Sequence, residues 1–71
     1  MTKLPTISGR KLVKILRKEG FTVIRQKGSH VSIRKGNYCT VIPLHRELAK
    51  GTLLGILKQI GMSKEKFIDI L

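Results

Sequence analysis

Val31-Ser32-Ile33-Arg34-Lys35-Gly36-Asn37-Tyr38-Cys39-Thr40-Val41-Ile42 is the stretch on which the fold turns. Two runs in which apolar and polar residues alternate flank Lys35-Gly36-Asn37, and glycine and asparagine tolerate the positive φ of a tight turn. The pattern predicts an antiparallel hairpin. With a three-residue loop, Arg34 stands opposite Tyr38, Ile33 opposite Cys39, Ser32 opposite Thr40 and Val31 opposite Val41, because antiparallel partners share a face. That register gathers Ile33, Cys39, Val31 and Val41 on a core side. His30, Ser32, Thr40, Arg34 and Tyr38 then share an open, polar side.

Upstream, period two begins at Phe21, with Phe21 and Val23 taken as inward and Thr22, Ile24 and Gln26 on the other face. Gly28 supplies a turn between this first strand and the one starting at His30. Before the strands, Leu12, Ile15 and Leu16 recur at helical spacing, widened by Val13. They predict a helix from about Ser8, its N-cap, to Glu19, closed by Gly20. Downstream, Pro43 has no N–H for a ladder and ends the third strand, and residues 44–51 read as a connection. Thr52 is the expected N-cap of a second helix, in which Leu53, Leu54, Ile56, Leu57 and Ile60 form a wide apolar stripe ending at Gly61. Gly55 inside it costs up to about 1 kcal/mol relative to alanine. Ser63 caps a short last helix with Phe67, Ile68 and Leu71 as apolar contacts. The expectation is an α+β fold of order α-β-β-β-α, a three-stranded antiparallel sheet with its helices on one face, as in double-stranded-RNA-binding domains, plus a short C-terminal helix. The 71 residues read as one domain, and chains of this size bury only about 60% of the surface they expose unfolded.

Fifteen Lys and Arg against four Asp and Glu give a formal charge of +11. A field of that sign attracts polyanions and makes their association fast and salt-sensitive, with nucleic acid foremost. No apolar run approaches the roughly 18 residues needed to span a membrane, and Met1-Thr2-Lys3-Leu4-Pro5 opens no secretory segment, so a soluble, cytoplasmic chain with no membrane partner is expected. Cys39 is the single cysteine. It has no internal disulfide partner, and one Cys with two His gives no zinc spacing. The four acidic residues, Glu19, Glu47, Glu65 and Asp69, are dispersed, so neither a metal site nor a cofactor is expected.

In Arg25-Gln26-Lys27-Gly28-Ser29-His30-Val31-Ser32-Ile33-Arg34, a glycine turn delivers one histidine onto the start of a strand among cations. Imidazole takes and returns a proton near neutrality, and RNA carries its own nucleophile in the 2′-OH. On the residues alone, His30 is either an ordinary surface histidine or the centre of a site for RNA. In the second case Arg25, Lys27 and Arg34 are candidates to stabilise charge on phosphorus, and Ser32 and Tyr38 to position the substrate. Arg10, Lys14, Arg17 and Lys18 line up on the outer face of the first helix, either as a solvated face or as a ridge for phosphates. His45 is the only other imidazole. It is either a second acid or, with the greater weight, a hydrogen-bond partner that fixes its loop.

Gly20-Phe21, Arg25-Gln26, Gly28-Ser29-His30, then Pro43 and His45, then Gly51-Thr52-Leu53 with Ile56-Leu57 and Gln59, together resemble the HicA family of toxin ribonucleases over nearly the whole chain. The resemblance implies the toxin of a toxin–antitoxin pair, an endoribonuclease or mRNA interferase that cleaves mRNA, with His30 catalytic. It also implies a HicB-type antitoxin as partner; because opposite charge speeds encounter with a +11 chain, that partner is expected to be acidic and to lie over the His30 face, with Ile24 and Ile42 as apolar contacts. Two other classes use the same residues differently. A non-catalytic RNA-binding module would bind through the basic helix and polar sheet face without turnover. A pure interaction protein would show no RNA affinity in isolation.

Overall fold

In the computed structural model, which describes residues 4–71, the Ser8 side chain accepts a hydrogen bond from the Lys11 N–H (3.1 Å) and starts α1, Gly9–Lys18. Met1, Thr2 and Lys3 lie outside the described residues. At the other end Gly20 takes φ 99°, which frees the Gly20 N–H to reach the Arg17 carbonyl and the Phe21 N–H to reach that of Leu16. This is a Schellman closure, and it aims Phe21 into the core. Lys35 completes the junction by donating to the Glu19 carbonyl (2.7 Å) with its ammonium 5.8 Å from the Phe21 ring centroid.

The sheet has the order β1-β2-β3, with β1 Thr22–Lys27, β2 His30–Lys35 and β3 Tyr38–Pro43 all antiparallel. Both hairpins close on two-residue turns whose first residue alone has positive φ, Gly28 at 60° and Gly36 at 58°. That is the sign pattern of a type II′ turn, whose twist suits the strands it joins. The three-residue loop expected at Lys35-Gly36-Asn37 is therefore wrong by one, since Lys35 remains in the ladder opposite Tyr38. Every side chain of β3 changes face as a result. Thr40 and Ile42 turn to the core and Cys39 and Val41 to the open side. Tyr38 packs toward Gly61 at the end of the second helix. Ile42 is fully buried and is no contact surface for a partner. Thr40 keeps its polarity satisfied through a hydrogen bond to Gln59.

A bulge changes β1 as well. Val23 pairs with Ile33 and Arg25 with Ser32, so Ile24 and Arg25 together oppose one residue of β2. The strict alternation expected from Phe21 onward breaks there. Val23 stays on the helix side at the sheet margin, 37% exposed, whereas Arg25 moves to the open face and Gln26, opposite Val31, to the helix side.

The second helix, α2, runs Lys50–Gln59 with Ala49 as N-cap, so Thr52 lies inside it rather than capping it. Its start is set by an anchor that the sequence hides: Leu48 is buried and its N–H binds the Ile7 carbonyl (2.8 Å). Gly61, at φ 69°, closes α2 by a second Schellman arrangement. Then Ser63 caps α3, Lys64–Ile70. Phe67 is fully buried and Ile70 packs on the core, while Leu71 is exposed. Leu12, Leu16, Ile33, Ile42, Leu53, Leu57 and Phe67 form the centre. Each such side chain contributes about 1.5–3 kcal/mol through burial. The core lies on one face of the sheet and leaves the other open.

Candidate nucleic-acid interface

His30 opens β2 at the corner where three segments meet. Its Cα partners are Lys27 on β1 and Pro43 on β3. The preceding residue, Ser29, accepts from the Leu44 N–H (2.7 Å), and the Gly9 N–H at the start of α1 binds the His45 carbonyl (2.9 Å). Any side chain on Gly9 would run into the Pro43 carbonyl and the Leu44 Cα, so only glycine lets α1 come this close. On the far side, Gln26 Nε2 donates to the Gly28 carbonyl (3.3 Å). The turn that presents His30 is thus tied to β1, to the segment after β3 and, through that segment, to α1.

Around His30 the candidate residues sort by register. Lys27 is directly across, and Arg25 faces Ser32 one step along on the same open face, a diagonal of about 7–8 Å from His30. Arg34 shares the face but lies four residues away, about 13 Å along the strand, with its Nε donating to the Gly36 carbonyl (3.0 Å). Tyr38 leaves the site altogether. It is on the helix side, five residues from the position opposite His30, or about 17 Å. With Phe21, Lys35, Lys66 and Met62 it borders a separate cleft of about 810 Å³. The contact that His45 makes with α1 is through its backbone carbonyl, and its side chain is exposed.

The cations of α1 lie behind this face. Arg10 and Arg17 border a groove with Val23, Gln26, Val31 and Leu44, between the helix and β1, and Lys14 and Lys18 continue the ridge away from it. Arg10 sits beside Gly9 and therefore nearest the His30 corner. Lys18, eight residues on, is about 12 Å farther along the helix axis.

Two features of the site escape a reading of the sequence. Gln26 supports the turn, and the open face carries an apolar patch of Ile24 (55% exposed) and Val41 (49% exposed) beside Cys39 and Ser32. The place of Gln26 depends on the bulge, for which Ile24-Arg25 has no turn residue as a signal, whereas Val41 joins the outward-facing Ile24 through the two-residue Gly36-Asn37 turn. Among the described residues, no three His, Cys, Asp or Glu side chains gather closely enough to hold a metal ion, and no helix is long and apolar enough to cross a membrane. A family model described as "HicA toxin of bacterial toxin-antitoxin" matches residues 9–62, more than half of the chain and all of the site described above. No curated protein and no solved structure matches.

Proposed function

Because the chain belongs to the HicA family of bacterial toxin–antitoxin toxins, we propose that it is an mRNA-cleaving endoribonuclease in which His30 is the general base and no metal ion takes part. The observation that carries the reading is the open-face cluster at one sheet corner, with Lys27 across from His30 and Arg25 and Ser32 one step away. His30 removes the proton of a 2′-OH, which then attacks the adjacent phosphorus and expels the 5′-oxygen. Lys27 and Arg25 offset the charge that develops on the non-bridging oxygens, and Ser32 orients the phosphate. Arg34 contacts the strand farther along. Arg10, Arg17, Lys14 and Lys18 hold phosphates of the same RNA behind the corner, through a salt-sensitive, sequence-independent attraction. Residues 1–71 work as one unit, in the cytoplasm, where the transcripts are.

The partner is an acidic HicB-type antitoxin that lies over the His30 face. Its apolar contacts are Ile24 and Val41, the exposed aliphatic residues of that face. The test is cleavage of a defined RNA by purified chain in excess EDTA, with the product ends identified. Persisting cleavage that leaves a 2′,3′-cyclic phosphate, or the 3′-phosphate formed from it, is the expected result. A 5′-phosphate end would mean attack by water instead, and RNA retained without turnover would mean a binding module.

A further inference from the structure

The two outer strands of the sheet are protected very differently. β1 carries Arg25 and Lys27 and is broken by the Ile24 bulge, both of which discourage a foreign strand from pairing with an edge. β3, Tyr38-Cys39-Thr40-Val41-Ile42-Pro43, has no charged residue and no bulge, and it lies inside a run from Gly36 to His45 without a single Asp, Glu, Lys or Arg. In a chain of net charge +11 that gap falls on an edge strand.

The register says which backbone groups the edge offers. A two-residue turn closes on a hydrogen-bonded pair, here Lys35 and Tyr38, and pairs alternate from there. Ile33 with Thr40 and Val31 with Ile42 therefore exchange bonds inward. Cys39 and Val41 turn their N–H and C=O groups outward, and among the described residues no backbone group from outside the sheet binds them. Pro43 ends the edge, close under Gly9.

The geometry points to β3 as a docking strand, on which an extended segment of the acidic antitoxin adds a fourth strand to the sheet through Cys39 and Val41. This deepens the proposed function and rests on it for the identity of the partner. A protein segment fits because main-chain bonds to an edge are what β-strand addition supplies, and exposed Val41 and Cys39 receive its side chains. An acidic segment fits because the added strand would lie about 10 Å from β2, within joint reach of a carboxylate side chain and Arg34 on the open face. A second copy does not fit, since it would bring another +11 chain alongside. Anchored there, the antitoxin reaches His30 from the side opposite the guarded β1.

The experiment is residue-resolved amide exchange on the full chain, alone and with its cognate HicB-type antitoxin. In the free chain Cys39 and Val41 should exchange fast while Thr40 and Ile42 are protected, and the antitoxin should slow Cys39 and Val41 by more than 100-fold. Unchanged exchange at these two amides in a complex that inhibits cleavage would overturn strand addition and leave the ribonuclease reading intact. Protection in a chain that never cleaves RNA would do the reverse. Protection that rises with concentration of the chain alone would assign the edge to a second copy and overturn the antitoxin as occupant. As a second measurement, Val41→Pro removes an outward N–H and no inward bond. It should weaken antitoxin affinity at least 10-fold with RNA cleavage retained, whereas Val41→Thr, which keeps the N–H, should change affinity less than 3-fold. Equal affinity in both variants would also reject the inference.

Discussion

Arg25 stands opposite Ser32 on the open face only because Ile24 is bulged out of the ladder between Val23 and Arg25. Without the extra residue, Arg25 would share the helix side with Val23, and Gln26 would take its place beside His30. One backbone irregularity therefore decides which of two adjacent polar side chains meets a phosphate and which one props the Gly28 turn.

Replacing the histidine separates chemistry from binding. His30→Ala should lower the cleavage rate by about 10²- to 10⁴-fold, the usual cost of a lost general base. RNA affinity should change little, because it rests on Lys and Arg. Single-turnover cleavage and a filter-binding titration on the same protein check both halves, and wild-type cleavage by the variant would move the chemistry elsewhere.

The cations should rank by register. Arg25→Ala, beside Ser32, should reduce cleavage more than Arg34→Ala, whose side chain is held at the Gly36 carbonyl. Tyr38→Ala, on the helix side at the far end, should leave the cleavage rate within about two-fold, since only interactions made in the transition state change that rate. Rates for the three variants, measured at one salt concentration, give the order directly.

Gly9 should be the least replaceable glycine of α1 and its surroundings. Gly9→Ala sets a methyl group against the Pro43 carbonyl, and overpacking of this kind typically costs about 1–3 kcal/mol. Because the same contact braces the His30 corner, activity at a temperature where the variant is still folded should fall too. Urea unfolding, paired with the cleavage assay, reads both effects.

Gly55 is the opposite case. It sits inside α2, exposed, with nothing within 4 Å of where a Cβ would be. Gly55→Ala should stabilise the chain by about 0.5–1 kcal/mol through helix propensity alone. A higher urea midpoint with unchanged slope and unchanged cleavage is the expected reading, and a lower midpoint would show that α2 packs more tightly there than the structure has it.

What the sequence by itself determined about this protein is whatever depends on local chemistry. Ser8 and Ser63 cap helices, Gly20 and Gly61 end them, and the order helix, three strands, helix, short helix follows from where period 3.6 gives way to period two. The cluster Lys27-Gly28-Ser29-His30 was legible too, since a glycine turn and its neighbours lie within four residues. Only the tertiary structure decided what depends on counting across space. The Gly36-Asn37 turn could hold Lys35 inside the loop or outside it, and alternating β-branched residues on both sides of β3 suit either choice. Burial of Ile42 and Thr40 beneath α2 selects one register and exposes Val41 and Cys39. The start of α2 was settled in the same way, by the bond from Leu48 to Ile7, two residues forty-one positions apart that nothing local connects. A period of two carries no information on its own origin, so one residue gained or lost in a turn or a bulge reverses every face beyond it.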